Sequence, residues 1–310
     1  LKGLKNYSSN ITAIVTVTDD GGSSGLLRKQ LGVQPPGDIR NCLAALSNEE
    51  PTLTRLFQYR FSGGSGLEGH SFGNLFLSAL TTITGSLEKA VQASSKVLAV
   101  QGQVIPATSM DVRLWAELED GEKIFGESLI SKSEKSITRI GCVPENPPAL
   151  PSALEAIKQA DLIILGPGSL YTSLLPNLLI PEIVEALLNS SAPKIYISNL
   201  MTQPGETDGL DVYDHIKSIE KQLSIFGVNK RIFNSILSQV EFEESPLVEY
   251  YRSRGAVPVI CNKKQLLSEG YYVLQAPLYA KKIMPTLRHD PRRLSRAVIY
   301  LYRKTKKSNQ

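Results

Sequence analysis

Three short apolar runs each end in a loop too rich in glycine, hydroxyl and acidic residues for a simple turn, and this repetition limits the possible folds more than any other feature. The first run is Ile11 to Val17, ending at Asp19-Asp20-Gly21-Gly22-Ser23-Ser24-Gly25. The second is Leu162 to Leu165, ending at Gly166-Pro167-Gly168-Ser169. The third is Lys194 to Ser198, ending in Asn199 to Thr207. Continuous runs of β-branched and aliphatic residues suit parallel strands covered on both faces. Between the second and third runs, Ile180 to Leu188 has helical spacing, so the segment reads as a βαβ unit with parallel strands. The expected class is α/β with a mostly parallel sheet. Ligands of such sheets lie beyond the carboxyl ends of the strands, which is where all three loops fall.

The middle of the chain follows another pattern. Val112 to Leu118 alternates, Glu119-Asp120-Gly121-Glu122 turns, and Lys123 to Gly126 continues. This is an antiparallel hairpin with an Asp-Gly turn. It is placed as an insertion at about 100–145, with Pro144 to Pro151 as the link back to the core. Further helices are expected from Leu26, from Asp38 as N-cap through Leu46, at Ser152 to Ala160 and at Leu294 to Tyr302. Leu1 to Lys5 reads as a helix end, and Val257 to Ile260 and Tyr272 to Leu274 as short strands. One domain over 1–310 accommodates all of this.

Composition excludes several classes. No apolar run reaches the roughly 18 residues of a membrane span. No apolar core follows Leu1 to Lys5, so no leader is expected. Cys42, Cys142 and Cys261 are odd in number and far apart, as expected of thiols in a reducing cytoplasm. The net charge is +4, with Arg303, Lys304, Lys306 and Lys307 in a basic tail at 303–310. No basic stripe interleaved with aromatics appears elsewhere, so no nucleic-acid partner is expected.

The candidate site is read from the loops. In Thr18 to Gly25 the glycines let the backbone approach a ligand, and Ser23 and Ser24 can cap the next helix, whose free N–H groups favour an anion. Asp19 and Asp20 repel a phosphate, and make sense as holders of Mg²⁺ or as acceptors for ligand hydroxyls. Arg40 and Asn41 sit in the first turn of a helix, the end that Arg disfavours, so Arg40 either pairs with Asp19, Asp20 or a ligand phosphate or is a plain surface Arg. Gly69-His70-Ser71-Phe72-Gly73 has the form of a serine-hydrolase elbow but lacks the preceding strand. It instead opens a helix marked by Phe72, Leu75, Phe76, Ala79, Leu80 and Ile83. Ser71 or Asn74 can touch a ligand there, and His70 is either a contact or a hydrogen-bonded loop residue. Gly166, Gly168 and Ser169 form a second phosphate-type loop. Asn199 and Thr202, with Gln203, Glu206, Thr207 and Asp208, suit sugar hydroxyls or a base. Arg288, in Arg288-His289-Asp290, is either a diphosphate clamp or an exposed Arg.

Taken together, residues 18–25, the Pro-Pro-Gly-Asp-Ile-Arg-Asn-Cys-Leu run from Pro35, residues 69–77, 166–178 and 199–209 resemble the YvcK-type gluconeogenesis factors of the CofD-like superfamily. The likeness extends from residue 1 to about 300. It implies a Rossmann-like three-layer fold and a cytoplasmic bacterial protein that binds a UDP-sugar, UDP-N-acetylglucosamine in particular. It also implies roles in growth on gluconeogenic carbon sources and in cell shape, and leaves self-association open. The transferase branch implies the alternative: Mg²⁺-dependent transfer of a phospholactyl group from a guanosine diphosphate donor. By matching motifs, Asp19 and Asp20 would be the metal or ligand acids and Arg288 the sugar-nucleotide contact. The family pattern opens with a strand and a glycine loop, for which Leu1 to Lys5 would be the end of the following helix. Residue 291 is Pro, so no hydroxyl is available there for regulation.

Overall fold

The computed structural model describes residues 1–48, 51–64, 66–279 and 286–308, so the end of the expected basic tail, Asn309 and Gln310, lies outside the described residues. A single 3₁₀ turn, Leu4–Asn6, stands where a helix end was expected. Strand β1, Thr12–Val15, then leads through the acidic loop into helix α1, Gly22–Leu31. Helices α2 (Gly37–Leu46), α3 (Pro51–Gln58), α4 (Phe72–Thr84) and α5 (Leu87–Val97) follow. Strand β2, Gln103–Pro106, returns parallel to β1, pairing Thr12 with Gln103 and Val15 with Pro106. Pro106 has no N–H and closes the strand. Because β2 belongs to the parallel core, the antiparallel insertion begins at Arg113 and not near residue 100. Gln103 and Pro106, which carry no strand signal, hid it.

The insertion is larger than a hairpin. Strands β3 (Arg113–Leu118), β4 (Lys123–Phe125) and β5 (Ile137–Val143) form a sheet in the order β4-β3-β5. The β3–β4 turn is the expected Asp-Gly one: Gly121 has φ +84° and Glu122 N–H donates to Asp120. Helix α6, Glu127–Ile130, lies between β4 and β5.

The rest is regular α/β. Helix α7 (Pro151–Gln159), β6 (Ile163–Leu165), α8 (Leu175–Leu178), α9 (Pro181–Asn189), β7 (Lys194–Ile197), α10 (Val212–Ile225) and β8 (Ser235–Gln239) come first. Helices α11 (Pro246–Arg252) and α12 (Lys263–Ser268), β9 (Tyr272–Ala276) and α13 (Pro291–Ser308) follow. Strands β6 to β9 are all parallel, in that order. Alternation along β7 explains the layers. Tyr196 faces a core shared with α9, α10 and the insertion, whereas Ile195 and Ile197 face Val298 and Leu301 of α13. The first half has its own core, where Val15 and Val17 meet Ile39, Leu43 and Leu77. Val257 to Ile260 is not a strand; only Pro258 bridges to Met201, since proline cannot continue a ladder. No described helix is long and apolar enough to cross a membrane.

Helix α10 carries a complete capping box between Asp211 and Asp214. Asp211→Ala removes the bond that its carboxylate accepts from the Asp214 N–H, keeps the backbone donor to Asp214, and is expected to cost about 1 kcal/mol in urea unfolding.

Candidate functional site

The loop after β1 is held by its own acids. Asp19 Oδ1 accepts the Gly21 N–H at 2.9 Å. Asp20 Oδ1 accepts the Ser128 N–H of α6 at 2.8 Å, across 108 positions of sequence. Helix α1 then starts at Gly22 with Gly21 as N-cap and no side-chain cap. Ser23 and Ser24 are therefore not caps, as expected from sequence, but buried residues of the first turn. Ser23 Oγ lies 3.1 Å from His70 Nδ1, and the Asn74 amide donates to Ser24 Oγ at 3.2 Å.

These bonds join α1 to α4. Ser71 caps α4 by accepting the Asn74 N–H at 3.2 Å, and its side chain is fully buried. This explains the elbow-like motif: Ser71 terminates a helix and is no exposed nucleophile. His215, which lies after Ser71 in the chain as the histidine of a serine hydrolase would, is buried against the Tyr196 hydroxyl at 3.0 Å. Ser71→Ala is expected to lose about 1 kcal/mol of stability in urea, with no esterase activity to lose.

Helix α2 enters the same place. Gly37, not Asp38, opens it, with Pro36 as N-cap, so Asp38 does not cap the helix. A Cβ on Gly37 would overlap Asp19 Oδ2 and crowd Ser24 Oγ at 2.8 Å. Burial, and then the charge of Asp19, push the Asp38 carboxyl up to about 6, while Arg40 and a hydrogen bond with Asn41 pull it down. Arg40 donates to Asn41 Oδ1 at 2.9 Å, and its buried Nε has no partner. Its side chain lies against Gly73 at the start of α4. Burial holds its guanidinium below the ordinary arginine range; Arg60 adds to this, and Asp19 and Asp38 oppose it. The first turns of α1, α2 and α4 thus meet at Asp19, Ser24, Arg40 and Asn74.

The loops after β6 and β7 form a second polar group. Gly166 has φ +89°, and a Cβ there would crowd the Ile197 carbonyl oxygen at 2.8 Å. Past Gly168, Ser169 Oγ accepts from Gln203 at 2.7 Å, and Gln203 Oε1 accepts from Asn199 at 3.3 Å. Glu206 is buried and accepts from Thr172 at 3.1 Å and Ser131 at 3.0 Å. Burial raises its carboxyl above the ordinary range, against those bonds. Thr202 is tied to the backbone of Val257, donating by its N–H at 2.7 Å and accepting at Oγ1 at 2.9 Å. That gives Thr202 a loop-fixing task.

Glu127 connects the two groups and was not expected from sequence. Its carboxyl is affected by Asp19, Asp38 and Asp20 on one side and by Glu206 on the other. Its only sequence signal is Gly126, whose φ of +98° marks a special backbone position. Arg288 is exposed. Its neighbour His289 is turned inward, bonded to the Ser198 backbone and lowered to about 4 mainly by burial. Among the described residues no three His, Cys, Asp or Glu side chains are grouped to hold a metal ion. Asp19 and Asp20 each give one oxygen, Oδ1, to a backbone N–H, and among the described residues no third such side chain joins them in a metal-holding group.

The family model described as 2-phospho-L-lactate transferase CofD matches residues 1–279. A curated relative from Nostoc, named a putative gluconeogenesis factor, is 54% identical over 302 residues; the match covers 97% of this chain and 65% of that protein's length. The gluconeogenesis factor of Bacillus subtilis is 45% identical, with 97% and 93% covered. A crystal structure of a UPF0052 family member from Bacillus halodurans superposes with a TM-score of 0.90 at 46% identity, covering 96% of this chain and 93% of that one.

Proposed function

Since the chain belongs to the CofD family, among relatives named gluconeogenesis factors, we propose that it is a sugar-nucleotide-binding regulatory protein whose ligand is of the UDP-N-acetylglucosamine type. The observation that carries this is the meeting of three helix N-termini, α1, α2 and α4, beside the half-buried Arg40 with its unpartnered Nε–H. Free N–H groups and an arginine together favour a diphosphate. The polar loops after β6 and β7 offer Asn199, Gln203 and Ser169 to the neutral parts of such a ligand, its hydroxyls and amides. Occupancy would report sugar-nucleotide supply to cytoplasmic control of growth on gluconeogenic carbon and of cell shape.

Isothermal calorimetry with UDP-N-acetylglucosamine tests the ligand; no heat of binding removes the assignment. The family model's description favours a second reading, transfer of a phosphorus-containing group from a nucleotide-diphosphate donor. Release of UMP, UDP or GMP on incubation with such donors and Mg²⁺ would establish that reading and end the non-catalytic one.

A further inference from the structure

The antiparallel insertion delivers one acidic side chain between the two polar groups of loops. Asp20 clamps α6 through the Ser128 N–H at 2.8 Å. Gly126 makes the clamp possible, since a Cβ there would overlap Asp20 Oδ2. The residue held between these two points is Glu127. Its Oε2 is buried and has no hydrogen-bond partner.

The charged groups around Glu127 come from each adjoining element: Asp19 and Asp20 from the loop after β1, Asp38 from α2, and Glu206 from the loop after β7. The cation Arg40 lies near Asp19 and Asp38 and is bonded to Asn41. A half-buried carboxylate with one oxygen buried and undonated, among four other carboxyls, is costly, and holding a proton removes that cost. Burial first, then Asp19, Asp38, Glu206 and Asp20, push the Glu127 carboxyl to about 9. A second buried acceptor borders the same group: Asn74 is 3% exposed and its Oδ1 has no partner. Its amide nitrogen donates to Ser24, which adjoins Asp19 at Gly37.

We propose that Glu127 is a specificity-determining residue of the cleft, presenting an uncharged carboxyl group to a neutral amide or hydroxyl of the ligand. Its O–H donates to the ligand oxygen and its carbonyl oxygen accepts the ligand N–H or O–H. An acetamido group offers both partners. This deepens the sugar-nucleotide reading and rests on it.

Two measurements test the proposal. Carboxyl ¹³C NMR of the ligand-free chain, with the Glu127 resonance assigned by E127Q, is expected to show a protonated carboxyl at pH 7. An ionised carboxyl overturns the proposal. Calorimetry at pH 7 then compares UDP-N-acetylglucosamine with UDP-glucose. E127Q keeps donor and acceptor and is expected to bind within about 3-fold of the parent. E127A is expected to bind UDP-N-acetylglucosamine about 10-fold more weakly and to lose the preference over UDP-glucose. Equal losses in E127Q and E127A overturn the proposal. A parent chain that binds neither sugar nucleotide removes the sugar-nucleotide reading and the specificity role with it, while the NMR titration separately decides the state of Glu127.

Discussion

Gly25→Ala is expected to destabilise the chain by about 3 kcal/mol and to weaken ligand binding with it. Gly25 is buried in the first turns of α1. A Cβ there would overlap the carbonyl oxygen and carbon of Asp20 and sit 3.4 Å from its Cα. All three are backbone atoms, so no rotamer change relieves the overlap. The loop must move, and Asp20 moves with it. Its carboxyl then loses its position on Ser128, and α6 loses the bond that fixes Glu127. The control is Gly32→Ala at the other end of the same helix. Gly32 has φ +66° and open space around its Cβ position, so only backbone strain is added, at about 1 kcal/mol. Urea unfolding of both variants checks the argument. Equal losses would mean that α1 and the Asp20 backbone are not in close contact.

Local chemistry explains which parts of this arrangement were legible in the sequence. Ile11 to Val17, Leu162 to Leu165 and Lys194 to Ser198 contain the core strands because their residues suit strands covered on both faces. Their glycine and hydroxyl loops marked the places where the polar side chains of the fold gather. Boundaries were harder. Ser23 and Ser24 looked like caps, but α1 starts earlier, at Gly22, so they bond His70 and Asn74 instead. Asp38 looked like a cap too, but Gly37 takes the first helical position because Asp19 leaves no room for a side chain there. Strand β2 was hidden because a four-residue strand ending in proline carries little signal. Glu127 was hidden for a deeper reason. It sits just after a hairpin that reads as peripheral, and every group that defines its environment comes from a distant part of the sequence. Arg288 and His289 show the converse. The motif marked the segment, but burial singles out His289, the neighbour of the residue chosen from sequence.

Stability should fall as pH rises across the neutral range, and Glu127→Gln should abolish most of that fall. In the folded chain the Glu127 carboxyl is raised from the ordinary glutamate range to about 9, chiefly by burial and then by Asp19. Below the ordinary range both folded and unfolded chains hold the proton, and the stabilisation from the protonated form is complete. Between that range and about pH 9 the unfolded chain ionises while the folded chain keeps its proton. Each step up in pH then favours unfolding, and the contribution is spent once the folded group ionises. Asp38, raised to about 6, acts in the same direction, but its share ends near that pH. Glutamine cannot ionise, so E127Q should gain on the parent by on the order of 3 kcal/mol between pH 5 and pH 9. Asp38→Asn should gain less, with the gain complete by about pH 6.5. Urea midpoints measured across that range separate the cases. If the parent and E127Q curves run parallel, Glu127 is ionised in the folded chain at neutral pH, and the cleft must supply a cation or donor to hold it.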